Sequence, residues 1–346
     1  MSSYPLFQAF PKLQRLPRAG LLQRATPVVP LGDSGDVWVK RDDLTAADYG
    51  GNKIRKLDLL LAAARAAGAT DLVSFGYSGS NFVAATAWHG RKLGMTTHGF
   101  LLPQADASYV ADNIATSLHS GAQLQVASSE RGVVMAALAR STRLLLRQRR
   151  WPIWIPPGGS TALGSLGFVN AAFELKAQIE AGLLPLPERI YVAFSSMGTV
   201  AGLAIGLAMA GLRSRIVAVQ VVDRTFADPS KLDRLIERTR ALLSRYDALA
   251  APSAVVPIEI RTEFFGEHYA VPTTATRRAI ERFESDSGAR ADSAYSGKAL
   301  AGLYADLESG IATGPALYWH TFNAHGRPPG VAPLAPSKLR AFLSKP

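Results

Sequence analysis

The chain of 346 residues contains no cysteine. Disulfides, thiolate metal sites and a cysteine nucleophile are excluded, and a reducing cytoplasm is the expected compartment. Metal-ligand spacing is missing as well: the six histidines are scattered, with no H-x-x-x-H pair, so no metal is expected. No apolar run free of charge reaches spanning length, and neither a transmembrane helix nor a membrane partner is expected. The N-terminal stretch MSSYPLFQAFPKLQRLPRAG lacks the apolar region and small-residue cleavage site of a signal peptide. Walker loops, G-x-S-x-G elbows, internal repeats and low-complexity segments are also absent.

What is present is a composition that is 48% hydrophobic, enough for one large domain or two modest ones. The formal charge is +11. Arginines crowd one stretch, at Arg140, Arg143, Arg147, Arg149 and Arg150. They read either as a nucleic-acid surface or as the solvated end of a helix in an arginine-rich chain. No nucleic-acid motif accompanies the charge, so the second reading is preferred and no nucleic-acid partner is expected.

The chain is organised around VWVKRDDLTAADYGGNKIRKLDLL, from Val37 to Leu60. Val37-Trp38-Val39 is an apolar, β-prone run and predicts a strand. Gly50-Gly51 predicts a tight turn, and Asn52 suits a helix N-cap. Ile54, Leu57, Leu60 and Leu61 then recur at helical spacing. Lys53 therefore stands at the mouth of a helix, above a strand end. It reads either as a solvated first-turn lysine or as a reactive amine. A cation is poorly placed at a helix N-terminus. Arg55 and Lys56 already supply charge to that turn. An amine near positive dipoles and other cations loses proton affinity, which prepares it as a nucleophile.

Residues 1–36 read as an irregular, proline-punctuated arm. Beyond them strands and helices alternate. Strands are predicted over Asp71–Phe75, Thr96–Leu102, Gln123–Ala127, Trp151–Pro156, Arg189–Phe194, Ile216–Val222, Val255–Ile260 and Ala316–His320. Helices are predicted over Leu57–Ala67, Asn81–Leu93, Ser108–Leu118, Arg131–Gln148, Ala162–Ala181 and Thr199–Ala210. Further helices follow over Lys231–Tyr246, Thr274–Ser287, Lys298–Ser309 and Ser337–Leu343. Repeated β-α units imply parallel sheets with helices on both faces, whose ligands sit in loops after strands.

Four such loops stand out. Gly76-Tyr77-Ser78-Gly79-Ser80-Asn81-Phe82 offers N–H groups at a helix start, suited to a carboxylate, although Ser80 also reads as an ordinary N-cap. Ser195-Ser196-Met197-Gly198-Thr199 opens another helix, where backbone N–H groups bind phosphate; a lone glycine-threonine pair there is often only a turn. Asp292-Ser293-Ala294-Tyr295-Ser296-Gly297-Lys298 ends in a lysine that reads as structural or solvated. His320-Thr321-Phe322-Asn323 follows the last strand, and His320 by itself reads as a buried histidine rather than a catalyst.

These segments together resemble the D-cysteine desulfhydrase and 1-aminocyclopropane-1-carboxylate (ACC) deaminase family of fold-type II pyridoxal-phosphate enzymes. The run KRDD-L-T…GGNKIRKL is similar to that family's lysine motif, and the likeness extends from about Thr26 to His320. It implies an α/β fold of two parallel-sheet, three-layer domains, tryptophan-synthase-β-like. The large domain would comprise residues 1–63 and 169–346, and a smaller α/β domain would be inserted at 64–168, with the cofactor in the cleft between them. It implies pyridoxal 5'-phosphate carried by Lys53, with Asn52 beside it, Asn81 on the ring hydroxyl and Ser80 contacting substrate. It implies phosphate binding by Ser195, Ser196, Met197, Gly198 and Thr199. Tyr269 and Tyr295 are implied as phenols in the site, and Ser296 or Thr321 as partner of the pyridine nitrogen.

The departures are Gly79 for the family's glutamine, Phe82 for histidine or glutamine, Ser196 and Met197 for glycines, and Phe322-Asn323 for two glycines. Met197 carries a steric penalty at positive φ, so the loop must differ locally or bind phosphate less well. A hydroxyl at Ser296 protonates the ring less effectively than a carboxylate, which favours β-elimination over ACC ring opening. The implied function is a lyase or deaminase of a small amino acid giving a keto acid and ammonia, acting as a homodimer. ACC deamination and a homologue with altered or lost lyase activity are the alternatives.

Overall fold

The computed structural model describes residues 4–32, 35–224, 226–323, 325–326, 328 and 335–343. The first half of the chain forms α1 (Pro5–Ala9), β1 (Val28–Pro30), β2 (Val37–Arg41), α2 (Lys53–Ala66), β3 (Asp71–Tyr77) and α3 (Asn81–Lys92). It continues with β4 (Thr96–Leu102), α4 (Val110–His119), β5 (Gln123–Val126), α5 (Glu130–Gln148), β6 (Ile153–Ile155) and α6 (Ala162–Glu180). The second half forms β7 (Arg189–Phe194), α7 (Gly198–Ala210), β8 (Arg215–Gln220), α8 (Pro229–Tyr246) and β9 (Ile258–Arg261). It ends with α9 (Thr274–Ser287), α10 (Ser296–Glu308), β10 (Ala316–His320) and α11 (Ser337–Leu343).

The N-terminal arm is not irregular. Pro5 presets the backbone at the first position of α1, where its missing N–H costs nothing. Leu6, Phe7 and Leu13 are buried, and the Leu6 N–H donates to Asn170 Oδ1 at 3.2 Å. Val28 and Val29 add an antiparallel edge strand to β2, with Val28 opposite Lys40. Prolines at element starts punctuate a segment that is ordered by burial.

Two compact units divide the chain. The first comprises residues 1–16, 22–56 and 160–324; the second comprises 17–21, 57–159 and 325–346. Helix α2 begins in the first and continues into the second.

The first unit is built on a six-stranded sheet, ordered β1-β2-β10-β7-β8-β9, parallel except for β1. Side chains alternate across a sheet. Val39, Tyr191, Val217, Val219 and Tyr318 pack with Phe283 of α9 and Leu300 and Leu303 of α10. On the opposite face Trp319 meets Phe168 of α6. Both faces are therefore covered, as the alternation of strands and helices requires. Helix α7 is buried almost all round, which its sequence GTVAGLAIGLAMA permits because it carries no charge.

The second unit has a four-stranded parallel sheet, ordered β5-β4-β3-β6. Val73 and Phe100 face Val133 and Ala137 of α5. Leu101 faces Val83 of α3 and Ile114 of α4. Among the described residues no helix is long and apolar enough to cross a membrane, and no group of three His, Asp or Glu is placed to hold a metal.

Candidate active site

The loop before α2 is held from below. Gly51 takes φ +97°, its N–H donates to the Asp42 carbonyl at 3.0 Å, and its own carbonyl accepts from Thr45 Oγ1 at 2.9 Å. Only glycine reaches that φ without strain. Lys53 then opens the helix, and its side chain lines a partly open cavity. Asn52, Ser195, Ser196, Met197, Thr199, Tyr295 and Thr321 line the same cavity. All lie in the first unit. The structure thus brings together the lysine, the helix-start loop, one tyrosine and the threonine after β10.

The electrostatics differ from the sequence reading in their cause. Arg55 and Lys56 are not surface charges; both are fully buried. Burial lowers the Lys53 amine to about 8, against an opposing pull from Asp292. Desolvation, not a crowd of cations, weakens its hold on the proton. Lys56 is lowered well below its ordinary value by burial and then by Lys53.

Lys56 was not singled out as a site residue from the sequence, yet it sits at the helix-start loop. A Cβ added to Gly198 would stand 2.9 Å from its Nζ and 2.8 Å from Ser160 Oγ. The signal was available: positions three apart on a helix share a face, so Lys53 and Lys56 point the same way. Ser160 completes this wall, accepting from the Gly198 N–H at 3.2 Å and donating to Ser196 Oγ at 2.9 Å. The Gly198 N–H is taken by Ser160 and the Ser196 carbonyl. Met197 at the N-cap gives no side-chain cap, so the first-turn N–H groups beyond Gly198 remain for a ligand. Gly198→Ala should displace Lys56 and Ser160 and weaken cofactor retention by about tenfold, an effect of about 1.4 kcal/mol, read by equilibrium dialysis.

Met197 does not avoid the penalised conformation. It adopts φ +70°, ψ −29°, the left-handed region. The loop keeps a backbone that a glycine would adopt freely, at a local cost of about 1–2 kcal/mol. Met197 carries the strain that the sequence reading foresaw for a side chain at positive φ.

Tyr269 and Tyr295 meet. Their hydroxyls are 2.6 Å apart, their rings edge to face, and Lys53 Nζ stands 5.9 Å from the Tyr295 ring centre. Ser296 is different. Its hydroxyl accepts from the Asp292 N–H at 2.6 Å and bonds the Asp292 carboxylate, and it is fully buried outside the cavity lining. Asp292 also receives the N–H groups of Ala294 and Tyr295, which starts α10 two residues before the sequence expectation. Of the two hydroxyls weighed as ring partners, Thr321 faces the cavity and Ser296 serves this turn.

Lys298 is structural: it is buried, and its Nζ donates to the Phe265 carbonyl. His320 is also buried, and burial lowers it to about 4, so its ring is neutral. Nδ1 lies 3.3 Å from the Tyr318 hydroxyl, while Nε2 has no hydrogen-bond partner among the described residues.

Ser80 and Asn81 belong to the second unit. Ser80 caps α3, accepting from the Val83 N–H at 3.3 Å, and Asn81 is the first helical residue. Gly79 has a local reason: a Cβ there would stand 2.7 Å from Val110 Cγ2 and 3.1 Å from Tyr109 Cε2. Its N–H donates to Gln104 Oε1 at 2.8 Å. Helix α4 thus occupies the space a larger residue would need.

A family model described as pyridoxal-phosphate dependent enzyme matches residues 20–318. The chain is 33% identical over 335 residues to a nocardicin C-9' epimerase of Nocardia uniformis subsp. tsuyamanensis, covering 94% of this chain and 98% of that protein. It is 32% identical over 328 residues to a D-cysteine desulfhydrase of Serratia proteamaculans, covering 90% and 96% respectively. A crystal structure of an ACC deaminase homologue superposes with a TM-score of 0.78 at 30% identity, covering 92% of this chain and 95% of that one. With the lysine, the loop and the cavity placed as described, the chain belongs to the pyridoxal-phosphate dependent enzymes, in the group that holds the D-cysteine desulfhydrases and ACC deaminase homologues, and its cofactor is pyridoxal 5'-phosphate.

Proposed function

We propose that this enzyme removes the β-substituent of a small amino acid, as the relatives named D-cysteine desulfhydrase suggest, leaving a keto acid and ammonia. The observation that carries this is the Lys53 amine, lowered to about 8 and set in one cavity with the Tyr295 phenol. The residues fit the cofactor. Asn52 Oδ1 is buried at the cavity wall with no hydrogen-bond partner among the described residues, and the start of α7, which Met197 does not cap, stands beside Lys56. Ser195, Ser196, Gly198 and Thr199, with Lys56, would hold the phosphate, and Thr321 would face the ring nitrogen. Ser80 and Asn81 keep the roles the family resemblance implies.

When bound, pyridoxal 5'-phosphate attaches the amino acid covalently and accepts the charge left at its α-carbon. The protein's part is proton transfer. Lys53 takes the α-proton as a neutral amine. The Tyr295 hydroxyl, paired with Tyr269, donates a proton to the departing group. Tyr295→Phe should lower turnover about a hundredfold while the cofactor's absorption remains. Tyr269→Phe should lower it less, since Tyr269 acts through Tyr295.

The pH dependence has a definite sign. The Lys53 amine titrates near 8 when folded, against an ordinary 10.5. Between these values the unfolded chain binds more protons, so the apoprotein gains stability as pH rises. The neutral amine that captures the cofactor also becomes the majority form. Cofactor uptake by apoprotein, followed by absorbance, should rise through about pH 8 and then level; a climb continuing to the ordinary lysine range would refute the assignment.

A second reading is epimerisation at the α-carbon. Lys53 and Tyr295 are two proton-transfer groups on one cavity, and the epimerase relative is 33% identical. One panel separates the readings. D- and L-amino acids with good β-leaving groups, and ACC, are assayed for keto acid and by chiral chromatography. Keto acid from D-cysteine supports elimination; loss of optical purity without keto acid supports epimerisation. A homodimer and a cytoplasmic location are part of the same proposal, the latter supported by the absence of cysteine.

A further inference from the structure

Helix α5 of the second unit buries Val133, Ala137, Ser141 and Leu144. The rest of its circumference is open. At about 100° per residue, Val134, Leu138 and Leu145 fall along one flank, with Met135 and Leu146 beside them. Arg140, Arg143 and Arg147 fall on the opposite flank. Met135 is 64% exposed and Leu146 67% exposed, and Trp151, just past the helix, is 47% exposed. Between Arg131 and Arg150 there is no carboxylate. Among the described residues no hydrogen bond or ion pair engages the side chains of Arg131, Arg143, Arg147 or Arg149. Arg150 donates to the Gly68 carbonyl at 2.7 Å.

We propose that this exposed face of α5 docks on an anionic phospholipid surface. One exposed helix face that carries an apolar sector, a basic flank and arginines at the two ends of the apolar sector suits such a surface, with apolar side chains among the acyl chains and guanidinium groups on the headgroups. An exposed tryptophan at the helix end suits the same boundary. A second copy of the chain fits poorly. Arg131 and Arg149 occupy the same sector as the apolar residues, at its two ends, so two-fold pairing would set arginine against arginine. A nucleic acid would use the arginines but leave the leucines, valine and methionine in water, because its stacking sites need aromatic side chains. An acidic protein would have to match a single convex helix in shape; a fluid lipid surface needs no such match. The absence of a spanning helix is no obstacle, since this mode lies on the bilayer.

The test is co-sedimentation of the full-length, cofactor-loaded enzyme with phosphatidylcholine vesicles, with and without about a third phosphatidylserine. Binding should require phosphatidylserine and weaken at high salt. Changing Arg143 and Arg147 to glutamine should cost about fivefold each. Met135→Asn and Leu146→Asn should each cost about tenfold. None of these positions lines the Lys53 cavity, so the cofactor's absorption should be unchanged in every variant. The proposal is overturned if phosphatidylserine vesicles retain no enzyme, or if both variant sets bind as the parent does. It is overturned equally if Met135→Asn with Leu146→Asn turns a dimer into monomers, which would make the face a contact between copies. Retention on duplex DNA that only the arginine changes abolish would assign the face to nucleic acid instead.

Discussion

Lys53→Ala should abolish the near-visible absorption of the cofactor-loaded enzyme and lower turnover about a thousandfold or more. The size follows from two losses at once. Among the described residues Lys53 is the lysine that lines the cavity, while Lys56 stands at the start of α7, so the covalent attachment disappears. The proton acceptor disappears with it, and a positioned base is worth about a hundred- to ten-thousandfold. The measurement is a spectrum of protein incubated with pyridoxal 5'-phosphate, followed by steady-state keto acid production. Exogenous alkylamines should restore part of the turnover, because the cavity is partly open. A variant that keeps the absorption band would remove Lys53 from the chemistry.

Arg55→Met should destabilise the protein by about 3–5 kcal/mol, the cost of leaving buried charges without their counter-ion. The guanidinium is fully buried and bridges two carboxylates. It reaches Asp42 at 2.6 Å and 2.8 Å and Glu174 at 3.0 Å. Lys40 and Thr26 close the cluster on Glu174, and Trp319 Nε1 donates to Asp42 at 2.8 Å. Burial pushes Glu174 up, but Arg55 and Lys40 outweigh it and hold its carboxyl at about 2. Its stabilising contribution is therefore complete above its unfolded value and fades as pH falls toward about 2. The control is the exposed pair Lys176 and Glu180, 3.7 Å apart, whose loss should cost less than about 1 kcal/mol. Denaturant titration monitored by tryptophan fluorescence reads both. Equal midpoints for the two variants would show that the cluster is not a keystone.

The same cluster shows where sequence reasoning stops. KRDD and NKIRK were legible as a strand end and a helix mouth because their glycines and apolar spacing are local signals. The burial of Lys40, Arg55 and Lys56 was not legible, since it depends on Glu174, Gln178 and Phe168 more than a hundred positions away. Charged residues in one turn look like a solvated surface until a distant carboxylate arrives. Met197 failed the other way. Steric reasoning named the penalty correctly, but the α7 start holds the residue in the left-handed region regardless. The family resemblance puts Ser296 at the place of the ring-nitrogen partner and leaves Thr321 as a second candidate; the turn around Asp292 engages Ser296, and Thr321 lines the cavity. The strand and helix alternation was read nearly throughout because buried parallel strands are continuous apolar runs. The N-terminal arm was missed because its order comes from docking on Asn170 and on β2.

An amine that is neutral near pH 8 and open to a cavity is also a target for chemistry from outside. Lys40 shares the lowered value yet is sealed by Glu174 and Gln178. Small acylating or aldehyde reagents at mildly alkaline pH should therefore tag Lys53 in the apoprotein ahead of Lys40, and pyridoxal 5'-phosphate should shield it. With no thiol anywhere in the chain to compete, that amine is the natural handle for covalent inhibitors and for site-selective labels.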